Sequence, residues 1–346
     1  MIDKFNEYTN KHTICPYCLN NYLDTLKVTS MFENIKTEEQ DMLKGAKMRV
    51  NAPPDRREFP RYNVDVRSMS IMVPTHGCVN SCKFCVSKIS QLKDEYKDLA
   101  KEDIFEEEYF KKFKKVSEMG CEYAILTGTG EPIQNKPFLS MIGEMNKSLE
   151  KPFKLEIQTS GVMLNDANLD FLKNEVGVYL ISLSVSNMFN DKSNANLVRM
   201  HERLKFDLKD LCHRIKSKGF ILRLSLNLVN VYNDIKPAKV VDRLHELKAD
   251  QATLRVLWSG KDDNEISRWI LSNKVSDTFV EQMEFYCMDR GRNLGGNYPK
   301  YQIGNLTIVI DDDCMAEHSV GEIRYLILRS DCNLYTRWDT KSSLFT

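Results

Sequence analysis

The sequence contains no apolar run of the ~18 residues that a membrane-spanning helix needs. Its opening stretch, MIDKFNEYTNKHTIC, lacks the apolar core of a secretory signal. Net charge is absent as well: 49 basic residues meet 49 acidic ones, so no overall field draws the chain to nucleic acid or to an anionic membrane. Low-complexity tracts are missing. The expectation is a soluble, cytoplasmic protein with no membrane or nucleic-acid partner.

Cysteine, by contrast, is abundant: there are ten. A disulfide framework suits short, loop-rich secreted chains, and 346 residues without a leader do not fit that description. Metal or redox use of some thiols is the better reading. Cys121 and Cys212 lie in apolar surroundings and read as core residues.

The length is typical of one α/β barrel with additions. From RSMSIMVPT to QATLRVLWS the chain alternates strands with helical stretches, giving six βα units. Such alternation predicts a parallel sheet with crossover helices. Several strands also alternate internally. Ser182, Ser184 and Ser186 oppose Ile181, Leu183 and Val185, while Arg223, Ser225 and Asn227 oppose Leu222, Leu224 and Leu226. Lys154, Glu156 and Gln158 oppose Leu155 and Ile157, and Thr253 and Arg255 oppose Leu254 and Val256. Period two gives each strand an apolar face for the helices and a polar face for something wet.

An open sheet with one solvated face is an alternative, but that pattern belongs mostly to antiparallel sheets. A complete eight-stranded barrel fills its interior with branched apolar residues. The expected fold is therefore α/β: a partial (βα)6 TIM-like barrel with a polar lumen, a helical N-terminal extension and a C-terminal α+β cap. The boundaries are 1–64 for the extension, which contains CPYC and a Pro-rich linker, 65–260 for the barrel core, and 261–346 for the cap or extension. In that last part, YQIGNLTIVI and GEIRYLILRS read as two strands that extend the sheet or cap its opening, and Asp311 to Asp313 as a solvated turn.

The stretch THGCVNSCKFC places Cys78, Cys82 and Cys85 within eight residues, just after the first strand. Parallel α/β folds gather their chemistry at that end. Three thiolates suit an iron–sulfur cluster with one iron left open. A zinc site would need a fourth ligand such as His76, Cys314 or Cys332.

Cys78, Cys82 and Cys85, spaced three and then two apart with Phe84 before the last, resemble the signature of the radical SAM superfamily. GTGEP at the end of the second strand is similar to that family's glycine-glycine-glutamate motif, with Thr129 and Gly130 where two glycines are more usual. SLSVS and RLSLNLVN resemble its later motifs, and the similarity spans roughly residues 68–260. The resemblance implies a [4Fe-4S] cluster on the three cysteines, its fourth iron chelated by S-adenosylmethionine. It implies that Phe84 packs near the adenine. The edge from Gly128 through Gly130 to Glu131 would receive the methionine amino group. Ser184, with Ser182 as second choice, would contact the ribose or carboxylate. Arg223 is a candidate for the methionine carboxylate, unless Glu156 holds it in an ion pair. The implied activity is reductive cleavage to a 5′-deoxyadenosyl radical that abstracts hydrogen from a substrate, with a reductant such as flavodoxin or ferredoxin.

Cys15 and Cys18 in HTICPYC match the glutaredoxin tetrapeptide, but only fourteen residues precede it and no thioredoxin-like unit follows. Joined to Cys314 and Cys332, and to Cys287 as a further candidate, they would form a second metal site holding zinc or an auxiliary iron–sulfur cluster. Unrelated thiols are the alternative. For substrate, neutral charge and the lack of a leader-recognition domain favour a small molecule or a nucleotide. A peptide- or protein-modifying enzyme and a glycyl-radical activase are the other enzymatic readings. A zinc- or iron–sulfur-stabilised binding scaffold is the non-enzymatic one, though a scaffold has no need of an open iron. Tyr335, Arg337, Trp338 and Asp339 in the tail read either as substrate contacts or as packing of the last strand.

Overall fold

A computed structural model describes residues 63–89, 104–259, 263–295, 299–311, 322–338 and 344–345. The N-terminal extension lies outside the described residues, and residues 63–346 form one compact unit. The six expected strands are β1 (Asn63–Met72), β2 (Tyr123–Thr127), β3 (Lys154–Thr159), β4 (Val178–Val185), β5 (Ile221–Leu228) and β6 (Gln251–Val256). They pair in sequence order, all parallel.

The C-terminal portion adds β7 (Arg292–Asn293), β8 (Lys300–Ile303), β9 (Leu306–Asp311), β10 (Glu322–Leu328), β11 (Leu334–Tyr335) and β12 (Leu344–Phe345). The result is one twelve-stranded sheet in the order β12-β11-β10-β1-β2-β3-β4-β5-β6-β9-β8-β7, an open sheet and not a closed barrel. β10 runs parallel to β1 and β9 parallel to β6, so eight neighbouring strands point the same way. YQIGNLTIVI, expected as one strand, is a hairpin of β8 and β9. Gly304 turns it at φ 59, a left-handed conformation that glycine adopts without cost.

The helices are α1 (Val86–Ile89), α2 (Glu106–Glu118), α3 (Lys136–Lys147), α4 (Asp166–Phe171), α5 (Asp191–Leu197), α6 (Leu208–Ser217), α7 (Pro237–Glu246), α8 (Glu265–Asn273) and α9 (Asp277–Arg290). Each longer one buries residues three and four apart: Tyr109, Phe113 and Val116 in α2, Leu208, Leu211 and Ile215 in α6, Val240 and Leu244 in α7. Several starts are fixed by side-chain caps, though those of α2 and α7 are not. Asn135 accepts from the Phe138 amide, Asp207 from Asp210 and Ser276 from Phe279. None of the described helices is long and apolar enough to cross a membrane.

The stretch NANLVRMHERLKFDLKDLCHRIKSKG reads in sequence as one long helical run after VYLISLSVS, but it folds as two helices. α5 stops where Arg199 takes a left-handed φ of 52 and the Met200 amide donates back to the Ala195 carbonyl at 2.8 Å. α6 restarts at the Asp207 cap. Nothing in the residue types of LVRMHE announces that break.

The alternation read from sequence sorts the sheet faces. Met69, Ile71, Leu126, Leu155, Ile157, Ile181, Leu183, Leu222, Leu224, Leu226 and Leu254 are fully buried. Register places their polar neighbours together on the other face, as in the row Gln158, Ser182, Arg223, Gln251 and Thr307. Parallel strands in register keep one residue parity on one side, so five strands build a continuous polar surface. Leu224 sits mid-strand in the core. Leu224→Ala should lower unfolding free energy by about 2–5 kcal/mol in urea titration. A loss no larger than the ~0.5 kcal/mol of a surface change would mean that this face is not the core.

Candidate active site

The cysteine loop begins where β1 ends. The Val73 amide donates to the Thr127 carbonyl at 2.7 Å, continuing the pairing with β2 by one residue. Asn135 then donates from its side chain to the Pro74 carbonyl at 2.8 Å, and the Val79 amide donates to Gln134 Oε1 at 3.2 Å. From the far side the Ser81 amide donates to the Val198 carbonyl at 3.2 Å, which ties the loop to the chain after β4. Lys88 on α1 closes it internally, donating to Ser81 Oγ and the Cys82 carbonyl, both at 3.1 Å.

Gly128 and Gly130 have a steric reason to be glycine. A Cβ on Gly128 would lie 2.6 Å from the Val73 carbonyl oxygen, and one on Gly130 would collide with Thr75 Oγ1 and the Gly77 carbonyl. The glycine edge therefore lies backbone to backbone against the cysteine loop. Thr129 stands between the two glycines and accepts a hydrogen bond on its carbonyl from Ser87 Oγ at 3.3 Å. Glu131 is buried, and its carboxylate accepts from Thr159 Oγ1 at 2.5 Å, the Ser160 amide at 2.9 Å and Ser160 Oγ at 2.6 Å. Burial pushes its pKa up, against the lowering effect of those donors. Glu131 thus clamps the end of β3 to the glycine edge.

Cys78 is exposed, while Cys82 and Cys85 are half-buried. Cys82 Sγ points to the Val198 carbonyl at 3.6 Å, and Cys85 Sγ lies 2.8 Å from Ser87 Oγ. Burial, then the neighbouring Cys85 and Cys78 sulfurs, pushes the Cys82 thiol up to about 12. Burial also raises Cys78, against a hydrogen bond from the Asn80 amide. The three sulfurs are close enough to feel one another's charge.

The sulfurs fit a cluster better than a single ion. Among the described residues no group of three or more His, Cys, Asp or Glu side chains could hold one metal ion. Ligands of a cubane each bind a different iron, so they need not converge on one point. The loop also encloses polar atoms that the described protein leaves without partners: the Thr75 hydroxyl and both ends of the Asn80 side-chain amide. Buried polar groups are ordinarily paired, and a bound inorganic group with sulfide acceptors would take the donors among them, the Thr75 hydroxyl and the Asn80 side-chain N–H. Thiols that ionise reluctantly in the bare protein suit a site whose cationic iron supplies the missing counter-charge.

Phe84 is buried and stacks on Trp269 of α8, centroids 6.0 Å apart and planes at 28°. Ser184 is half-buried near the C-terminal end of β4, level with Ser225 and Thr253. Ser182 is buried one layer deeper, level with Arg223. Arg223 is the third residue of β5, well below the loop. Its guanidinium donates to Glu156 at 2.6 and 2.7 Å and to Gln251 at 2.8 Å. The ion pair, and not an open cation, is what the structure holds at that position.

Other expectations change. Asp311 ends β9 and accepts from Arg255 at 3.0 Å, so it is a sheet residue and not part of a solvated turn. Cys287 is buried on the core side of α9, where burial pushes its thiol up to about 12. Cys332 is half-buried at φ 60 beside the Phe105 carbonyl. Cys15, Cys18 and Cys314 lie outside the described residues. Tyr335 is buried against Arg329, 3.9 Å from the ring centroid, and donates to Asp331 at 2.6 Å, as strand packing requires. Cys121 and Cys212 are core residues, as expected.

Sequence reasoning missed a cavity of about 520 Å³ beside the loop, lined by Lys83, Asn190, Lys192, Asn196, Arg199 and Trp269 among others. Lys83 lies inside the cysteine motif itself. The others come from the segment after β4 and from α8, where no spacing signal marks them.

The model of the family described as Radical SAM superfamily matches residues 72–244, half of the chain. No curated protein matches. Among solved structures, native anSMEcpe with bound AdoMet is 14% identical, with 64% of this chain and 59% of that one covered and a TM-score of 0.44. Native anSMEcpe with bound AdoMet and Kp18Cys peptide is 12% identical over 80% and 74%, TM-score 0.48. Methylornithine synthase (PylB) is 16% identical over 64% and 63%, TM-score 0.39. The chain thus spans 59% of the first of these.

Two measurements test this geometry. Alkylation of Cys82 in the metal-free protein, followed by peptide mapping, should rise about tenfold per pH unit from 7 to 10, because the thiolate is the reacting form and the thiol titrates near 12. Levelling near pH 9 would place that sulfur in open water. Arg223→Met should destabilise the fold by about 3–5 kcal/mol by stranding Glu156. Adding Glu156→Gln should restore most of the loss. Equal destabilisation of single and double variants would mean that the pair is not coupled.

Proposed function

The chain belongs to the radical SAM superfamily, and from that premise we propose that it is a radical enzyme whose reacting centre is the cysteine loop. The observation that carries this is the close seating of Val73–Gly77, the stem that leads into the cysteines, on the Gly128–Gly130 edge at the C-terminal end of the sheet. When bound, a [4Fe-4S] cluster with S-adenosylmethionine supplies a 5′-deoxyadenosyl radical, the agent that removes hydrogen from a substrate.

Cys78, Cys82 and Cys85 would hold three irons as thiolates, and Lys88, tethered to the Cys82 carbonyl, lowers the Cys82 and Cys78 thiols against the effect of burial. The Asn80 amide and the Thr75 hydroxyl, both buried, would turn toward the bound group. Backbone carbonyls along Gly128–Gly130 would accept the methionine ammonium. Glu131, its oxygens occupied by Thr159 and Ser160, holds that edge in place through its charge and its hydrogen bonds. Phe84, backed by Trp269, gives the adenine an apolar wall. Ser184 would reach the ribose, with Ser182 one layer deeper. Arg223, committed to Glu156, orders the sheet beneath.

The substrate is a small molecule or a nucleotide, and electrons come from a reductant of the flavodoxin or ferredoxin kind. The test is anaerobic reconstitution with iron and sulfide, addition of S-adenosylmethionine and a strong reductant, and quantification of 5′-deoxyadenosine. Wild type should form it and Cys82→Ala should lose it by at least ~100-fold, the scale on which removing one essential group acts. No product from either protein, with zinc bound and no iron, would hand the cysteines to a structural role.

A further inference from the structure

The polar face of the sheet is largely occupied by its own side chains. Arg223 donates to both Glu156 and Gln251, Thr127 donates to Gln158 at 3.1 Å, and Arg255 donates to Asp311. A ligand needing charged partners has to find them above this layer. The cavity beside the cysteine loop offers them: Lys83, Lys192 and Arg199 line it, with Asn190, Asn196 and Trp269, and no carboxylate does. Among the described residues none of the three cations is held in an ion pair. Glu202, whose charge is felt by Lys192, is itself paired with Lys205.

Three like charges around one concavity repel unless an anion joins them. Lys192 and Arg199 are exposed and Lys83 is half-buried, so an anion arriving from solvent reaches all three without displacing a protein partner. The arrangement is also anchored. Arg199 is held in the left-handed region, a conformation unusual for a residue with a side chain. Its neighbour Val198 accepts from the Ser81 amide and from Cys82. The cationic wall is therefore tied to the loop that carries the chemistry. Trp269, with one side against Phe84, contributes a flat apolar surface to the same cavity.

We propose that this cavity is the substrate site, and that it takes a small molecule bearing a carboxylate or phosphate, with its charge on Lys192, Arg199 and Lys83 and a planar body against Trp269. This rests on the radical-enzyme reading above and names its substrate class. The groove is open to solvent, and its volume of about 520 Å³ gives room for a nucleotide-sized ligand. Two anions meet the description, a separate substrate and the methionine carboxylate of the cofactor, and the experiment separates them.

The full chain is titrated by calorimetry with adenosine 5′-monophosphate, inorganic phosphate and adenosine, with and without saturating S-adenosylmethionine. The monophosphate should bind with one site per chain, adenosine about tenfold more weakly or worse, the effect expected when charge-assisted contacts are removed. The variant Lys192→Gln/Arg199→Asn should lose about tenfold in monophosphate affinity and most of its salt dependence. Asn is chosen because it tolerates the left-handed backbone. Lys192→Glu should weaken binding at least as much, and Lys192→Arg should restore it. Trp269→Leu should weaken the monophosphate while sparing inorganic phosphate.

Adenosine binding as tightly as its monophosphate, or variants that fold and bind as wild type does, would overturn the proposal. So would displacement of the monophosphate by S-adenosylmethionine, which would assign the cations to the cofactor. Formation of 5′-deoxyadenosine by wild type is followed in parallel. Its absence alongside intact anion binding would remove the radical reading and leave an anion site. Its presence without anion binding would remove only this inference.

Discussion

Two backbones touch where β1 and β2 end, with the Thr75 hydroxyl packed beside them. Gly128 and Gly130 lie against Val73, Thr75 and Gly77 so closely that a single methyl at either glycine would force the cysteine loop away. Much of the site depends on that contact. It sets the height at which Cys78, Cys82 and Cys85 stand above the sheet. It aligns the β2 edge with the end of β3 through Glu131, and it leaves Thr129 free to hold Ser87 behind Cys85. A glycine-rich turn read as a cradle for a ligand is here first a seat for the protein's own loop.

Beneath that seat the sheet solves a separate problem. Parallel strands covered by helices on one side leave a second face that must be filled or wetted. This chain fills it with polar groups that satisfy one another across strands, Arg223 with Glu156 and Gln251, Arg255 with Asp311. An ion pair at this depth contributes little net stability, yet breaking it is costly. Its effect is to fix the register of β3, β5 and β6, and so the relative heights of the strand ends that bear the site.

Much of this was legible in residue order. Period-two alternation in ISLSVS and LRLSLN gave both faces of β4 and β5, because each strand contributes one residue per layer whatever its neighbours do. The cysteine spacing pointed to the loop because three soft ligands in eight residues have few other uses. What stayed hidden depends on backbone angles and on long-range packing. The break at Arg199 needs a left-handed residue that LVRMHE does not announce. Trp269 lies far along the chain, in a helix after β6, and joins Phe84 only through the fold. Arg223 was ambiguous for a plain reason. A guanidinium on a polar face suits a ligand or a neighbouring glutamate equally well until Glu156 is placed beside it.

β10 changes what kind of strand β1 is. The strand that launches the cysteine loop is first in sequence among the six central ones, and with β2 alone beside it, it would be a sheet edge. An edge presents a row of unpaired amides and carbonyls on which another chain can add. β10 pairs along β1 from Ser68 to Ile71, in parallel with β2 on the other side. The stem of the loop is therefore gripped from both flanks, and a segment far along the chain guards the strand that carries the chemistry.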